Sequence, residues 1–263
     1  MSSTVAEVKV DPDAITSELG ESGVAKWAKL SIQPALVIIF VLGFVIWRAT
    51  ATLDSIERRS LAWARVGELL WQHIALSVVS TVIVLAVAMP LGILLTRRST
   101  RKATPAVVGV ANIGQAAPAV GLLVLFALWL GIGFWTTIIA LCLYAILPVL
   151  RNTIVGLDQV DQRLVEAGRG MGMTAAAVLW RIELPLAVPV ILAGARTALV
   201  LLVGTATLAT LVGAGGLGEL VNTGIKLTRT SVLVSGALLV AALALIIDWL
   251  GRVAEEIAKP KGI

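Results

Sequence analysis

The chain has 263 residues, 58% of them hydrophobic and only 14% charged, with a mean hydropathy of +0.97. A water-soluble domain of this length is not built that way, whereas a protein that crosses the membrane several times is. The net charge of +5 then reflects basic residues flanking membrane helices, not nucleic acid, and the lone Cys142 and His73 exclude a disulfide framework, a Cys/His nucleophile pair and a metal cluster.

Residues 1–29 are polar and slightly acidic and show no secretory signal, so a short, partly disordered cytoplasmic tail is expected there. A membrane-crossing helix needs roughly 20 mainly apolar residues. Six such runs follow: helix one at 30–47, helix two at 71–95, helix three at 105–130, helix four at 134–150, helix five at 185–211 and helix six at 231–250. They define an all-α, polytopic transmembrane domain over 30–250, with a cytoplasmic tail at 251–263. Lysine and arginine set the orientation. Fourteen lie at one set of helix ends and six at the other, so the rich side, with both termini, is expected to be cytoplasmic. Trp47, Trp71, Trp129 and Trp135 fall at the outer ends and Trp27 and Trp249 at the inner ones, at headgroup level. In the outer 48–71 loop, Ile56, Trp63, Val66 and Leu70 recur at near-helical spacing. A helix lying on the membrane surface and an ordinary connector both fit that pattern.

Helix three carries Asn112, Gln115 and Pro118 at intervals of three, with Gly114 and Gly121 nearby. Polar side chains in a membrane helix face the bundle interior or a watery path, so helix–helix hydrogen bonding and path lining are both open. The cytoplasmic loop 151–184 is far longer than a minimal connection. Its pattern predicts two short amphipathic helices. Asp158 caps the first, with Asp161 in the first turn and Val160, Leu164, Ala167 and Met171 on one face. Gly168, Gly170 and Gly172 stop it. Thr174 caps the second, whose stripe is Ala175, Val178, Leu179 and Ile182, and Pro185 opens helix five. In helix five, Ala193, Gly194, Thr197 and Ala198 form small-x3-small pairs, and Arg196 is the one charge well inside an apolar span. Thr207 and Thr210 follow. Gly213, Gly215 and Gly218 spell G-x-G-x-x-G, but no strand precedes them, so a tight turn facing the solute route is expected instead of a nucleotide cradle. No G-x-x-x-x-G-K-S/T exists in the chain.

The loop reads Glu166, Ala167, Gly168, three residues, Gly172, nine residues, Ile182, one residue, Leu184, Pro185. This resembles the E-A-A-x3-G-x9-I-x-L-P loop of the membrane subunits of bacterial ABC importers, with Gly168 replacing the third small residue. "QHIALSVVSTVIVLAVAMPLGILL", "NIGQAAPAVGLL", "LPVLRNTIVGL", "GARTALV" and "LVGAGGLGELV" extend the resemblance over about residues 70–250, toward the osmoprotectant branch. The resemblance implies a type I importer permease that moves glycine betaine, choline or carnitine. It assigns ATPase coupling to Glu166, Ala167, Gly168, Gly172, Ile182, Leu184 and Pro185. It also implies a separate ATPase subunit that holds ATP and Mg, a second permease subunit (identical or homologous), an extracytoplasmic solute-binding protein, no cofactor on this chain, and residence in the inner membrane.

Asn112, Gln115, Pro118, Tyr144, Thr207, Thr210 and Gly215 are the candidates for the solute path. No carboxylate falls mid-span, with Asp248 at an inner end, which argues against an ion-coupled carrier. No catalytic constellation is present. Tyr144 with Phe126 makes a poor aromatic cage, so tight recognition is expected on the binding protein. A permease for another small solute, such as an amino acid, fits the same motifs.

Overall fold

The computed structural model describes the backbone of residues 12–258 and the side chains of residues 31–258. Among them every regular element is helical. The long helices are α1 (Pro12–Thr50), α3 (Trp63–Leu95), α6 (Phe134–Asp158), α9 (Leu184–Thr205) and α11 (Thr230–Ala258). Shorter ones are α2 (Ser55–Ser60), α4 (Thr104–Ala116), α5 (Ala119–Leu130), α7 (Gln162–Gly170), α8 (Ala175–Val178) and α10 (Gly218–Lys226). Helix one is thus much longer than its apolar run. The expected 1–29 tail is helical from Pro12, a residue suited to the first turn, and its first eleven residues lie outside the described ones.

Five stretches are long and apolar enough to cross a membrane unbroken. Helix three departs from expectation: it is two helices, α4 and α5, bent by 95° at Ala117–Pro118. Proline at 118 supplies no N–H, and Ala117 before it takes an extended ψ of 142°, so the ladder stops there. Together the two helices link the end of α3 to the start of α6. Thr104, at their start, donates to the Leu95 carbonyl at the end of α3, while Gly131, at their finish, accepts from Thr136 at the start of α6.

α3, α6 and α9 form the centre, around Leu76, Val84, Ile138, Leu141, Val149, Ala198 and Leu202. Small residues set how closely they approach, because lipid gives no hydrophobic drive for helix association. A methyl group on Gly194 would lie 3.0 Å from the Pro148 carbonyl, and one on Gly92 would lie 2.7 Å from Thr153 Cβ. Of the small-residue pairs in helix five, Gly194 and Ala198 are buried against neighbours, while Thr197 is turned outward.

The 48–71 segment is more than a plain connector. α2 carries a complete capping box between Asp54 and Glu57. Asp54 also pairs with Arg229 at 2.9 Å, and Glu57 accepts from Ser231, which straps α2 to the start of α11. Of the expected stripe, Val66 is buried with Leu61 and Leu69 against Leu217, Leu220 and Val232, and Leu70 is half-buried beside them, whereas Ile56 and Trp63 are exposed.

At the other end, Arg196 ties α9 to α11 through Asp248 (3.4 Å) and Glu255 (2.8 Å), and Asp248 also accepts from Gln33 of α1 (2.9 Å) and Arg252 (3.0 Å). The intramembrane arginine is therefore a structural knot that holds the peripheral α1 to the core. Replacing it would leave Glu255 without that cation and Asp248 with Arg252 alone, each carboxylate being about four-fifths buried. Arg196→Met is expected to destabilise the folded protein by about 2 kcal/mol or more. Thermal unfolding in detergent checks this, with the exposed Arg98→Met as a control that stays within about 0.5 kcal/mol of the unaltered chain.

Candidate functional site

The 151–184 loop is shorter than its apolar boundaries imply, because α6 continues through Asp158. Asp158 is the last residue of α6 and pairs with Arg101 at 3.3 Å, so it caps nothing. Asp161 is the cap of α7, accepting from the Arg163 amide at 2.9 Å. Of the three glycines expected to stop α7, Gly168 lies inside it and Gly170 is its last residue. Gly172 makes the turn, at φ +83°, where an L side chain is strained. The Met173 amide bonds to the Gly168 carbonyl (3.1 Å) and the Gly172 amide to that of Arg169 (2.9 Å), the paired bonds of a Schellman end. Thr174 then accepts from the Ala177 amide and opens α8. The chain passes through a π turn at Leu179–Glu183 and enters α9 without a break.

Two faces of this hairpin behave differently. Val160, Val165, Val178 and Leu184 are buried together, with Leu179 and Ile182 half-buried beside them. Gly168 makes that packing possible, since a methyl group there would meet Ile182 Cδ1 at 2.7 Å. The expected face of Val160, Leu164, Ala167 and Met171 is split. Val160 joins the buried cluster, whereas Leu164, Ala167 and Met171 (76% exposed) have no cover. Glu166, Arg163 and Arg169 flank that open stripe, and Trp180 is 70% exposed close by in sequence. The hairpin thus offers an apolar strip edged by charge and held by capped, hinged helices.

The path candidates do not converge on one site. Asn112 is half-buried on α4 and accepts from Arg151 of α6 at 2.9 Å. Gln115 lies one turn further on, half-buried, and Pro118 is exposed at the break. Tyr144 is half-buried on α6. Thr207 and Thr210 sit toward the far end of the span that α9 begins, in a 3-10 turn, Ala206–Val212. Thr207 donates to the Gly204 carbonyl at 2.7 Å, and its own carbonyl lies hard against Gly218. Gly213, Gly215 and Gly216 all have positive φ. Gly215 lies against the Gln72 side chain, whose Oε1 accepts from the Gly216 amide at 3.0 Å. So the glycine motif is a tight turn seated on α3, with no strand before it. His73, fully buried next to Gln72, bonds through Nε2 to the Val203 carbonyl at 2.9 Å.

Two polar contacts at the hairpin and the path escaped the sequence reading. Glu183, the unspecified position between Ile182 and Leu184, is buried and pairs with Arg97 at 2.6 Å. Arg151 holds Asn112. Both contacts join residues dozens of positions apart, so no periodicity announces them.

The family described as binding-protein-dependent transport system inner membrane component matches residues 88–256. A choline transport system permease protein of Bacillus subtilis, OpuBB, is 42% identical over 200 residues, covering 75% of this chain and 91% of the relative. The osmoprotectant import permease protein OsmW of Salmonella typhimurium is 39% identical over 202 residues, covering 75% and 93%. Among solved structures, a permease-bearing chain of the MetNI methionine ABC transporter in an inward-facing conformation superposes with a TM-score of 0.66. It has 26% identity and covers 74% of this chain and 96% of that one. Long apolar helices, a capped helical hairpin and these matches agree: the chain belongs to the family of binding-protein-dependent transport system inner membrane components.

Proposed function

We propose that this chain is the permease subunit of an ATP-driven importer for a small osmoprotectant such as glycine betaine, choline or carnitine. The observation that carries the reading is the uncovered strip Leu164–Ala167–Met171 beside Glu166. It is an apolar patch on a capped helical support, with nothing among the described residues packed on it. An ATPase subunit, which would hold ATP and Mg, covers it from the cytoplasm. Glu166, Ala167 and Gly172 serve as contact and hinge, while Gly168, Ile182, Leu184 and Pro185 carry the hairpin into α9. Both termini are cytoplasmic in this reading, and the glycine turn faces the extracytoplasmic side, where the binding protein delivers solute.

Relatives named for choline, glycine betaine and carnitine are 37–42% identical, against 26% for the methionine system, which favours the osmoprotectant over an amino acid. A second permease, identical or homologous, completes the conduit. Arg151, Thr197 and Gly204 are exposed on α6 and α9, and polar groups and a bare glycine are poor neighbours for lipid. Neutral groups such as Asn112, Gln115, Thr207 and Thr210 suit a route that must release its cargo.

Placing a charge on the open strip is expected to block docking. Met171→Asp should lower the ATPase recovered with the permease at least about tenfold, ~1.4 kcal/mol, while membrane abundance stays unchanged. Glu166→Ala should weaken docking less. Undiminished ATPase recovery with Met171→Asp would remove this strip from the interface.

Energisation and solute are read together. Proteoliposomes holding the whole complex should take up labelled glycine betaine or choline when ATP is supplied and proton and sodium gradients are collapsed. Excess methionine should not compete. Gln115→Leu or Asn112→Leu should reduce flux without altering the binding protein's own affinity. Uptake that vanishes with the gradients while ATP remains would favour an ion-coupled carrier.

A further inference from the structure

Glu183 is the one buried Asp, Glu, Lys or Arg side chain among the described residues. It sits on the π turn that joins the cytoplasmic hairpin to α9, next to Ile182, which packs on Gly168 of α7. π turns inside helices occur often at functional positions. Its partner, Arg97, stands just beyond the end of α3. The Arg97 guanidinium is itself tethered there, donating to the Ile93 carbonyl at 3.3 Å and to Thr96 Oγ1 at 2.9 Å. A cation at a helix C-terminus is also favourable for the helix dipole. The ion pair therefore joins two anchored ends: the base of the hairpin and the base of α3.

The segment it grips can move. Pro90 interrupts the α3 hydrogen-bond ladder seven residues before Arg97, which gives the last turns freedom to tilt. That segment touches what lies beside the path. Gly92 packs closely on Thr153 of α6, and the Leu95 carbonyl accepts from Thr104, which opens α4. α4 carries Asn112 and Gln115. Met89 and Ile93 also pack on the hairpin's buried cluster, but apolar contacts are non-directional and can slide. A short, partly buried, charge-assisted hydrogen bond holds its geometry.

We propose that Arg97 and Glu183 form a strut that passes displacement of the cytoplasmic hairpin to the end of α3, and through it to α4. The inference rests on the permease reading above and names the link by which that hairpin acts on the path. Both are positioning residues, acting through α3 and not on solute.

The test uses the complete reconstituted complex with its ATPase and binding protein. It compares Glu183→Gln, Arg97→Lys and the exchange Arg97→Glu with Glu183→Arg. Three quantities are read: ATPase retained on purification, melting temperature, and solute imported per ATP hydrolysed. Glu183→Gln should retain the ATPase yet import about tenfold less solute per ATP. Arg97→Lys, which keeps the charge, and the exchange, which restores the pair, should recover at least about half of the unaltered ratio. A pair with a structural role alone would lower yield or melting temperature and leave import per ATP of the surviving complex unchanged; that result in Glu183→Gln overturns the strut alone. Absence of ATP-driven import by the unaltered complex would overturn the permease reading, and the strut with it.

Discussion

A hydrocarbon solvent offers the backbone no hydrogen bonds, so each place where a membrane helix stops must find its partners within the protein. The interruptions in this chain follow that constraint. At the glycine turn, the Gly216 amide is taken by Gln72, while the amides of Gly213 and Ala214 return to Thr210 and Ala209. At the break between α4 and α5, the Ala117 amide reaches back to Ile113, and the Pro118 carbonyl accepts from Leu122. Hydroxyls close the turn after α3, where Thr96 and Thr104 donate to the carbonyls of Ile93 and Leu95. Irregular backbone appears where a neighbour is ready to receive it, and those are the places that can change shape.

The same solvent removes the usual reason for helices to associate. What remains is close contact and polar bonding. Gly92, Gly156 and Gly194 let α3, α6 and α9 approach to backbone or Cβ contact, which places α6 at the centre of the bundle. Outside that centre, charge takes over. Arg196 with Asp248 and Glu255 holds one end, and Asp54 with Arg229 and Arg65 with Glu219 hold the other. A packed middle with ion-paired rims leaves the hairpin and the glycine turn as outlying elements, each joined to α3 by a single polar side chain, Arg97 at one end and Gln72 at the other.

Legibility in the sequence followed distance along the chain. The long apolar helices, the Thr174 cap and the tight glycine turn are local, and apolar runs and cap residues report them directly. The break in helix three was half visible. Pro118 marked a freed carbonyl, but whether a proline bends a helix or ends it depends on what receives the chain afterwards. Asp158 read as the cap of α7 with Asp161 in its first turn, but α6 runs on through Asp158 and leaves the cap to Asp161. The burial of Val66, the one fully covered member of the 48–71 stripe, was not visible because its cover, Leu217, Leu220 and Val232, lies some 150 residues away. The role of Arg196 and the Arg97–Glu183 pair were illegible for the same reason.

The spacing of the loop motif itself has a geometric cause. Gly172 must be glycine because the Schellman turn sets its φ at +83°. Four residues before it, Gly168 lies one helical turn back on the face that looks at the returning chain. The interval of nine residues from Gly172 to Ile182 holds Met173 to close the turn, Thr174 to cap, the single turn of α8, and the start of the π turn. That length returns Ile182 onto Gly168, where even a methyl group would be crowded at 2.7 Å. Alanine at 168 would therefore require Ile182 to withdraw, so glycine at this position and isoleucine fourteen residues on are one packing unit. Leu184 then seals the buried cluster, and Pro185, in the first turn of α9, needs no amide partner from the turn before it. The residues that define the motif are thus chiefly those that build the hairpin. The motif's exposed members Glu166 and Ala167, with Leu164 and Met171 beside them, carry none of that packing and leave one face of the hairpin open.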